Sequence, residues 1–414
     1  MSPGHPDETD LEAFLDRLLR FDTTDGNEAE AQAWFAEELD RMGLEVYEWE
    51  ADPEGLADHP SFPDDPAEID ADGRPSVGGV LELGSGGRTL VLNGHVDVVP
   101  TDRESWSSDP FDPVWEGDRL TARGAVDMKG GLAACVFAAL ALADREGLTG
   151  RVVVESVVGE EEGGIGAAAA ALSNPYPFER DAAIVAEPTK LEPVVATEGS
   201  LMKRLRLRGR SAHAATRWHG ESVLPHFERI RRAFSDLETE RGERVSHPLY
   251  REFPIPWPVN CGTVSAGSWA SSVPAALEAE FRIGVAPGES ASEVEAEFEG
   301  RLAEVVAESE WLTEHPPSFE RFSIQFEPAE TDPEERVVRA VSDALAASGR
   351  PGEPRGATYG ADSRHYVEAG IPTVLFGPGN IDQAHFPDET MSVSELVEAT
   401  DLLADAAARY LSEP

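Results

Sequence analysis

Four short apolar runs, each ending near a residue that can hold a metal ion, constrain this chain more than any other feature. Residues 89–93 (TLVLN) lead to His95, residues 152–158 to Glu160 and residues 182–186 to Glu187. Residues 373–376 open the loop that carries His385. Runs this apolar and this short read as strands buried on both faces, and the segments between them supply the cover. The spacing predicts helices over 9–20, with Thr9 and Glu12 placed as a capping box, and over 31–42, 132–143 and 167–172. Strands alternating with helices indicate an α/β domain with a mostly parallel sheet and helices on both faces. In such a sheet the site forms at the carboxyl ends of the strands, where these residues fall.

The middle of the chain follows another pattern. Residues 200–210 alternate and are basic, 223–234 are helical, and 262–285 read as strands. Residues 292–306 form a charged helix with Ser292 and Glu295 as a capping box. This stretch offers no ligand set. The expected organisation is a discontinuous catalytic domain, 1–198 and 325–414, with an inserted α+β domain at 199–324. With 414 residues, two cores are expected. Residues 52–77, rich in Pro, Asp and Gly, read as an exposed excursion.

Composition narrows the partners. Against 79 acidic residues stand 34 basic ones, a net charge of −45, and only Lys129, Lys190 and Lys203 are lysines. Such a surface repels nucleic acid and anionic membranes. The charge and the scarcity of lysine point to a cytoplasm of molar salt, where screening shrinks to about 3 Å. Cys135 and Cys261 are too few for a disulfide framework and read as free thiols in a reducing compartment. The opening MSPGHPDETD lacks the basic and apolar regions of a secretory leader, and no apolar run reaches the roughly 18 residues of a membrane span. A cytoplasmic location is expected.

The chemistry follows from residue types. Two imidazoles and three carboxylates from separate segments suffice for two divalent ions sharing one carboxylate. Asp127, in a Gly-rich turn before an apolar helix, suits the shared position. His95 and Glu187 complete one shell, Glu161 and His385 the other. Asp97 orients the His95 ring through its second nitrogen. Glu160 adjoins a ligand without having to be one, which suits a general base.

At these residues the chain resembles the acetylornithine deacetylase, succinyl-diaminopimelate desuccinylase and carboxypeptidase G family of zinc peptidases and acylases. The resemblance runs from about residue 8 to 410, through GHVDVVP, RGAVDMKGG, EEEGGIGA, AEPT, GRSAH, SSVP with FRIGVAPGE, and GPGNIDQAHFPDE. It implies two Zn2+, with Co2+ or Mn2+ as substitutes, held by His95, Asp127, Glu161, Glu187 and His385. It implies Glu160 as base, Asp97 behind the first histidine, and a lid domain that makes a homodimer. His213 matches a lid histidine that stabilises the oxyanion, often across the dimer. Arg282 and Arg364 match positions that grip a substrate carboxylate, and Lys129 reads as a local charge partner. Gly159 stands where the family has an acidic residue. Ser271, a substrate contact by position, stands where the family often has Asn. The run of three glutamates admits a shifted register, with Glu161 as base and Glu162 as ligand; the Gly-Gly-x-Gly that follows favours the first register.

The expected activity is removal of an acyl group from an amino acid that keeps its carboxylate. Alternatives are a dipeptidase or carboxypeptidase of the same mechanism, a ureido or carbamoyl amidohydrolase, and a binding module that kept the fold. Glu at position 187 resembles the deacylase and carboxypeptidase side of the family.

Overall fold

The computed structural model describes residues 8–143 and 145–412. Two compact units divide them: one comprises residues up to 195 with 330–355 and 361–414, the other 196–329 with 356–360.

The first unit is built on a mixed sheet. Its neighbouring strands run Glu45–Trp49, Ser76–Gly84, Gly150–Val157, Thr89–His95, Ala182–Val185 and Thr373–Leu375, with Val194–Thr197 next. The middle of the sheet is parallel: Thr89–His95 lies between Gly150–Val157 and Ala182–Val185, and Thr373–Leu375 adds to the latter. The flanks are antiparallel, so the sheet is parallel only at its centre. Thr89–His95 and Ala182–Val185 are buried along their whole lengths, as runs without polar interruption require.

The helix Lys129–Leu140 is buried on every side except its last residue. Its close approach depends on Gly131, where a Cβ would meet the Ala186 carbonyl at 2.0 Å. The helix is thereby held against the end of the strand that delivers Glu187. Two further amphipathic helices, Arg336–Ser348 and Val393–Ser412, complete the cover.

Three expectations need correction. Thr9 lies inside the helix Glu8–Leu19 and so cannot cap it; the residue before that helix lies outside the described residues, as does most of the opening segment read as no leader. The second capping box forms two residues earlier, on Ser290 and Glu293. The S-x-x-E spacing occurs twice there, and Glu295 is taken by Lys203 at 2.5 Å and Arg321 at 2.7 Å. The 52–77 excursion is not a bare loop. Leu56, Phe62, Ile69 and Ala71 form a small core with Ile165 and Ala168.

The second unit is a four-stranded antiparallel sheet in the order Val259–Ala266, Ala276–Val285, Gly199–Arg208 and Ser318–Arg321. Alternating burial along Gly199–Arg208 matches its alternating sequence. Phe234 of the helix Leu224–Arg244 and Phe298 of the helix Ala291–Ala307 meet Phe281 and Phe319 of the sheet in one core. Val259–Ala266 is an edge strand, exposed along most of its length. Among the described residues no helix is long and apolar enough to cross a membrane.

Candidate metal centre

Asp127 is the hub. One carboxylate oxygen lies 3.1 Å from His95 Nε2 and the other 3.5 Å from His385 Nε2. His385 Nε2 also lies 3.1 Å from Glu161 Oε1. Donor atoms of His95, Asp127 and Glu161 all fall within 4.8 Å of one another. A carboxylate that offers one oxygen to each of two histidines has the geometry of a shared ligand.

The turn beneath Asp127 is held by Glu389, a fully buried carboxylate. It accepts hydrogen bonds from the backbone N–H groups of Val126 at 2.7 Å, Asp127 at 3.1 Å and Gly124 at 3.2 Å. Arg123 donates to it at 2.7 Å. Fixing the backbone that leads into Asp127 restricts where its carboxylate can sit. Glu389 ends the QAHFPDE segment, so one stretch of chain supplies both His385 and the clamp on Asp127.

Asp97 acts differently from expectation. His95 Nδ1 is closest to the Asp97 main-chain carbonyl, at 2.9 Å, with the carboxylate 3.7 Å away. That carboxylate instead accepts from the Glu161 N–H at 3.1 Å. Asp97 therefore orients His95 through its backbone and anchors Glu161 through its side chain.

The glutamate run splits three ways. Glu160 is buried, Glu161 faces His385, and Glu162 turns away to Arg74 at 2.5 Å. Burial and the nearby charge of Asp362 hold the Glu160 carboxyl well above the usual range. Glu187 is raised by burial and by Asp127. Burial alone would raise Asp127, but hydrogen bonds from His385 and His95 hold it low. Asp362 is a residue the sequence analysis passed over. It is almost wholly buried, neither oxygen has a hydrogen-bond partner, and burial pushes it up to about 7. Gly164, at φ +75°, makes room for it, since a Cβ there would come within 2.3 Å of the Asp362 carboxylate. The signal in sequence was an isolated Asp in GADSRH, which no periodicity distinguishes.

Asp97, Asp127, Glu160, Glu187 and Asp362 are buried with His95, and Glu161 and His385 lie at the rim. Uncompensated carboxylates are costly away from water. Divalent cations fit this donor set of oxygens and imidazoles and supply the missing positive charge.

The other predicted residues separate by unit. Lys129 is buried and gives its ammonium to the Phe21 carbonyl at 2.8 Å, with burial lowering its pKa to about 7; it touches no carboxylate among these contacts. Arg364 is buried, and its guanidinium donates to Ala361 O at 3.1 Å and to Gly163 O at 2.6 Å. These contacts brace the loop after Glu161. In the second unit, Arg282 pairs with the buried Glu198 at 2.7 Å and donates to Thr358 O at 3.2 Å. His213 is exposed; its Nδ1 accepts from Ala215 N at 3.1 Å. Ser271 lies beside it, its carbonyl accepting from Ala214 N at 2.8 Å. Cys135 and Cys261 are free thiols, and burial raises the pKa of both.

A family model described as peptidase family M20/M25/M40 matches residues 91–409. The chain is 27% identical to an N-formyl-4-amino-5-aminomethyl-2-methylpyrimidine deformylase of Halalkalibacterium halodurans, over 95% of this chain and 92% of that one. It is 29% identical to an acetylornithine deacetylase of Proteus mirabilis, over 78% and 79% of the two chains. The solved structure of an M20 family metallo-carboxypeptidase from Sulfolobus solfataricus superposes with a TM-score of 0.74 at 18% identity, over 97% of this chain and 99% of that one.

Proposed function

The chain belongs to peptidase family M20/M25/M40, whose members are metal-dependent hydrolases, and from that premise we propose that it is a two-zinc amidohydrolase that removes a small acyl group from an amino acid or similar amine. The observation that carries this reading is Asp127, placed between His95 and His385 with the buried Glu160 beside them. His95, Asp127, Glu161, Glu187 and His385 would hold the ions. When bound, such ions supply charge that acidifies a water and polarises an amide carbonyl. Glu160 then takes the proton from the attacking water and returns it to the departing amine. A carboxyl held above its usual range by burial is suited to carry that proton both ways.

His213 is assigned the role of donor to the developing oxyanion. Because its Nδ1 accepts a hydrogen bond, a neutral His213 carries its proton on Nε2, ready to donate. Replacing His213 with Ala should lower kcat by on the order of 10²–10³, as loss of one oxyanion donor does, with metal content unchanged. If the donor acts across a homodimer, mixing His213→Ala with Glu160→Gln subunits should restore part of the activity. Full kcat in the single variant would remove His213 from the mechanism. The exposed edge strand Val259–Ala266 supports a dimer built by this unit.

The deacylase reading draws on the deformylase and deacetylase relatives. A panel of N-formyl and N-acetyl amino acids, acylated amines and dipeptides, assayed by ninhydrin after zinc reconstitution, tests it. Turnover of dipeptides alone would favour a peptidase instead.

A high-salt cytoplasm accounts best for the surface charge. Self-repulsion among the excess carboxylates destabilises the compact state, and salt screens it. The melting temperature should therefore rise between about 0.1 M and about 3 M KCl, a span over which screening shortens from about 10 Å to below 3 Å. A flat or falling curve would reject the halophilic reading.

A further inference from the structure

Outside the proposed centre, the first unit gathers a second set of metal-binding side chains. His365 and Glu368 sit three residues apart on the helix Ser363–Glu368, and His59 comes from the 52–77 excursion. One donor atom from each of the three lies within 4.8 Å of the others. His59 Nε2 is 2.8 Å from Glu368 Oε2, and the two imidazole rings are centred 5.3 Å apart. The Phe62 ring stacks on His365 with centroids 6.1 Å apart, closing the apolar side.

Two atoms here lack partners. His365 is only 2% exposed, and its Nδ1 is buried with no hydrogen-bond partner. Its Nε2 faces the Gly163 carbonyl at 3.0 Å and so carries the proton, leaving the lone pair on Nδ1. The Ser61 hydroxyl is also buried without a partner. An ordinary His–Glu ion pair would account for His59 and Glu368 but for neither of these atoms.

We propose that His59, His365 and Glu368 form an additional transition-metal site, suited to Zn2+ or Co2+, with solvent water completing the coordination. His365 would bind through Nδ1, Glu368 through a carboxylate oxygen and His59 through Nε2. His59 then shifts its proton from Nε2 to Nδ1, losing the 3.2 Å contact from Ser61 N. The unpartnered Ser61 hydroxyl, on the same residue, becomes the acceptor for that proton. Four-coordinate zinc with bonds of about 2.0–2.1 Å spaces its ligands about 3.3 Å apart, so only small side-chain shifts are needed. Burial, then the charge of Arg364, favour the neutral form of His365, as a ligand requires. The exposed Glu368 side chain gives the ion an entry route.

The site would tie the excursion to the loop of the proposed centre. An ion on His365 Nδ1 makes the Nε2–H a stronger donor to Gly163 O, two residues from Glu161. The additional ion is thus a brace for that loop, without contact with substrate.

The test is a difference in metal content. The wild-type protein and the Glu368→Gln and His59→Gln variants are dialysed in molar KCl against low free Zn2+, and bound zinc is counted per chain. Each variant should hold one ion fewer than wild type. Glu368 is exposed, so its replacement leaves the fold intact even if His59→Gln does not. With Co2+, the absorption bands of the wild type should exceed those of the Glu368→Gln variant by one site's worth. Equal counts and equal spectra would overturn the proposal and leave His59–Glu368 as an ion pair only. The comparison holds the ligands of the proposed catalytic centre constant, so it reads the same whether that centre binds two ions, one or none.

Discussion

Glu160→Gln is expected to lower turnover by about 10²–10⁴-fold while leaving the metal content at wild-type level. The substitution keeps the size and burial of the side chain but removes its ability to accept a proton, and positioned general acid–base groups contribute on this scale. Neither Glu160 oxygen is needed to pair with His95, His385 or Asp127, whose mutual contacts run through other atoms. The control is Glu161→Gln, which should lose metal as well as activity because Glu161 faces His385. Inductively coupled plasma measurements beside a steady-state assay separate the two. If Glu160→Gln remained active while Glu161→Gln kept its metal and lost activity, the shifted register would be right.

Asp127→Ala should strip the centre of both ions. Its two oxygens serve different histidines, so one truncation disconnects His95 and His385 together. Losing a residue behind a ligand typically weakens metal affinity by about 10–100-fold; losing the shared ligand itself should exceed about 10²-fold and take activity with it. The fold should survive, because Glu389 grips the backbone of this turn independently of the Asp127 side chain. Circular dichroism with metal counting tests both halves. Retention of both ions in Asp127→Ala would mean that the carboxylate is not shared.

Much of this arrangement was legible in the chain. The buried strands announced themselves because parallel strands covered on both faces need unbroken apolar runs, and His95, Glu160, Glu187 and His385 followed four of them. What stayed hidden was set by tertiary contact. Nothing local marks Asp362 or Glu389, because their importance lies in what surrounds them: burial among other carboxylates for one, three backbone amides for the other. The capping box at Ser290 lost to its neighbour in the reading because two identical spacings overlap, and only the claim of Lys203 and Arg321 on Glu295 decides between them. The excursion misled for a related reason. Its Pro, Asp and Gly speak of turns, while Leu56, Phe62 and Ile69 are spaced too irregularly to show that they pack. Asp97 had the right place, but which of its oxygens meets His95 is a matter of tenths of an ångström that no sequence pattern carries.

Thr373–Leu375 enters the sheet beside Ala182–Val185, which the ribosome made nearly two hundred residues earlier, and His385 follows on the next loop. A nascent chain can therefore lay down His95, Asp127, Glu161 and Glu187 and still lack both the strand Thr373–Leu375 and the second imidazole of the proposed cage. Synthesis must pass residue 385 before the proposed hydrolytic centre can assemble. The order of the sheet thus defers assembly of the proposed centre until the strand Thr373–Leu375 and His385 have both been made.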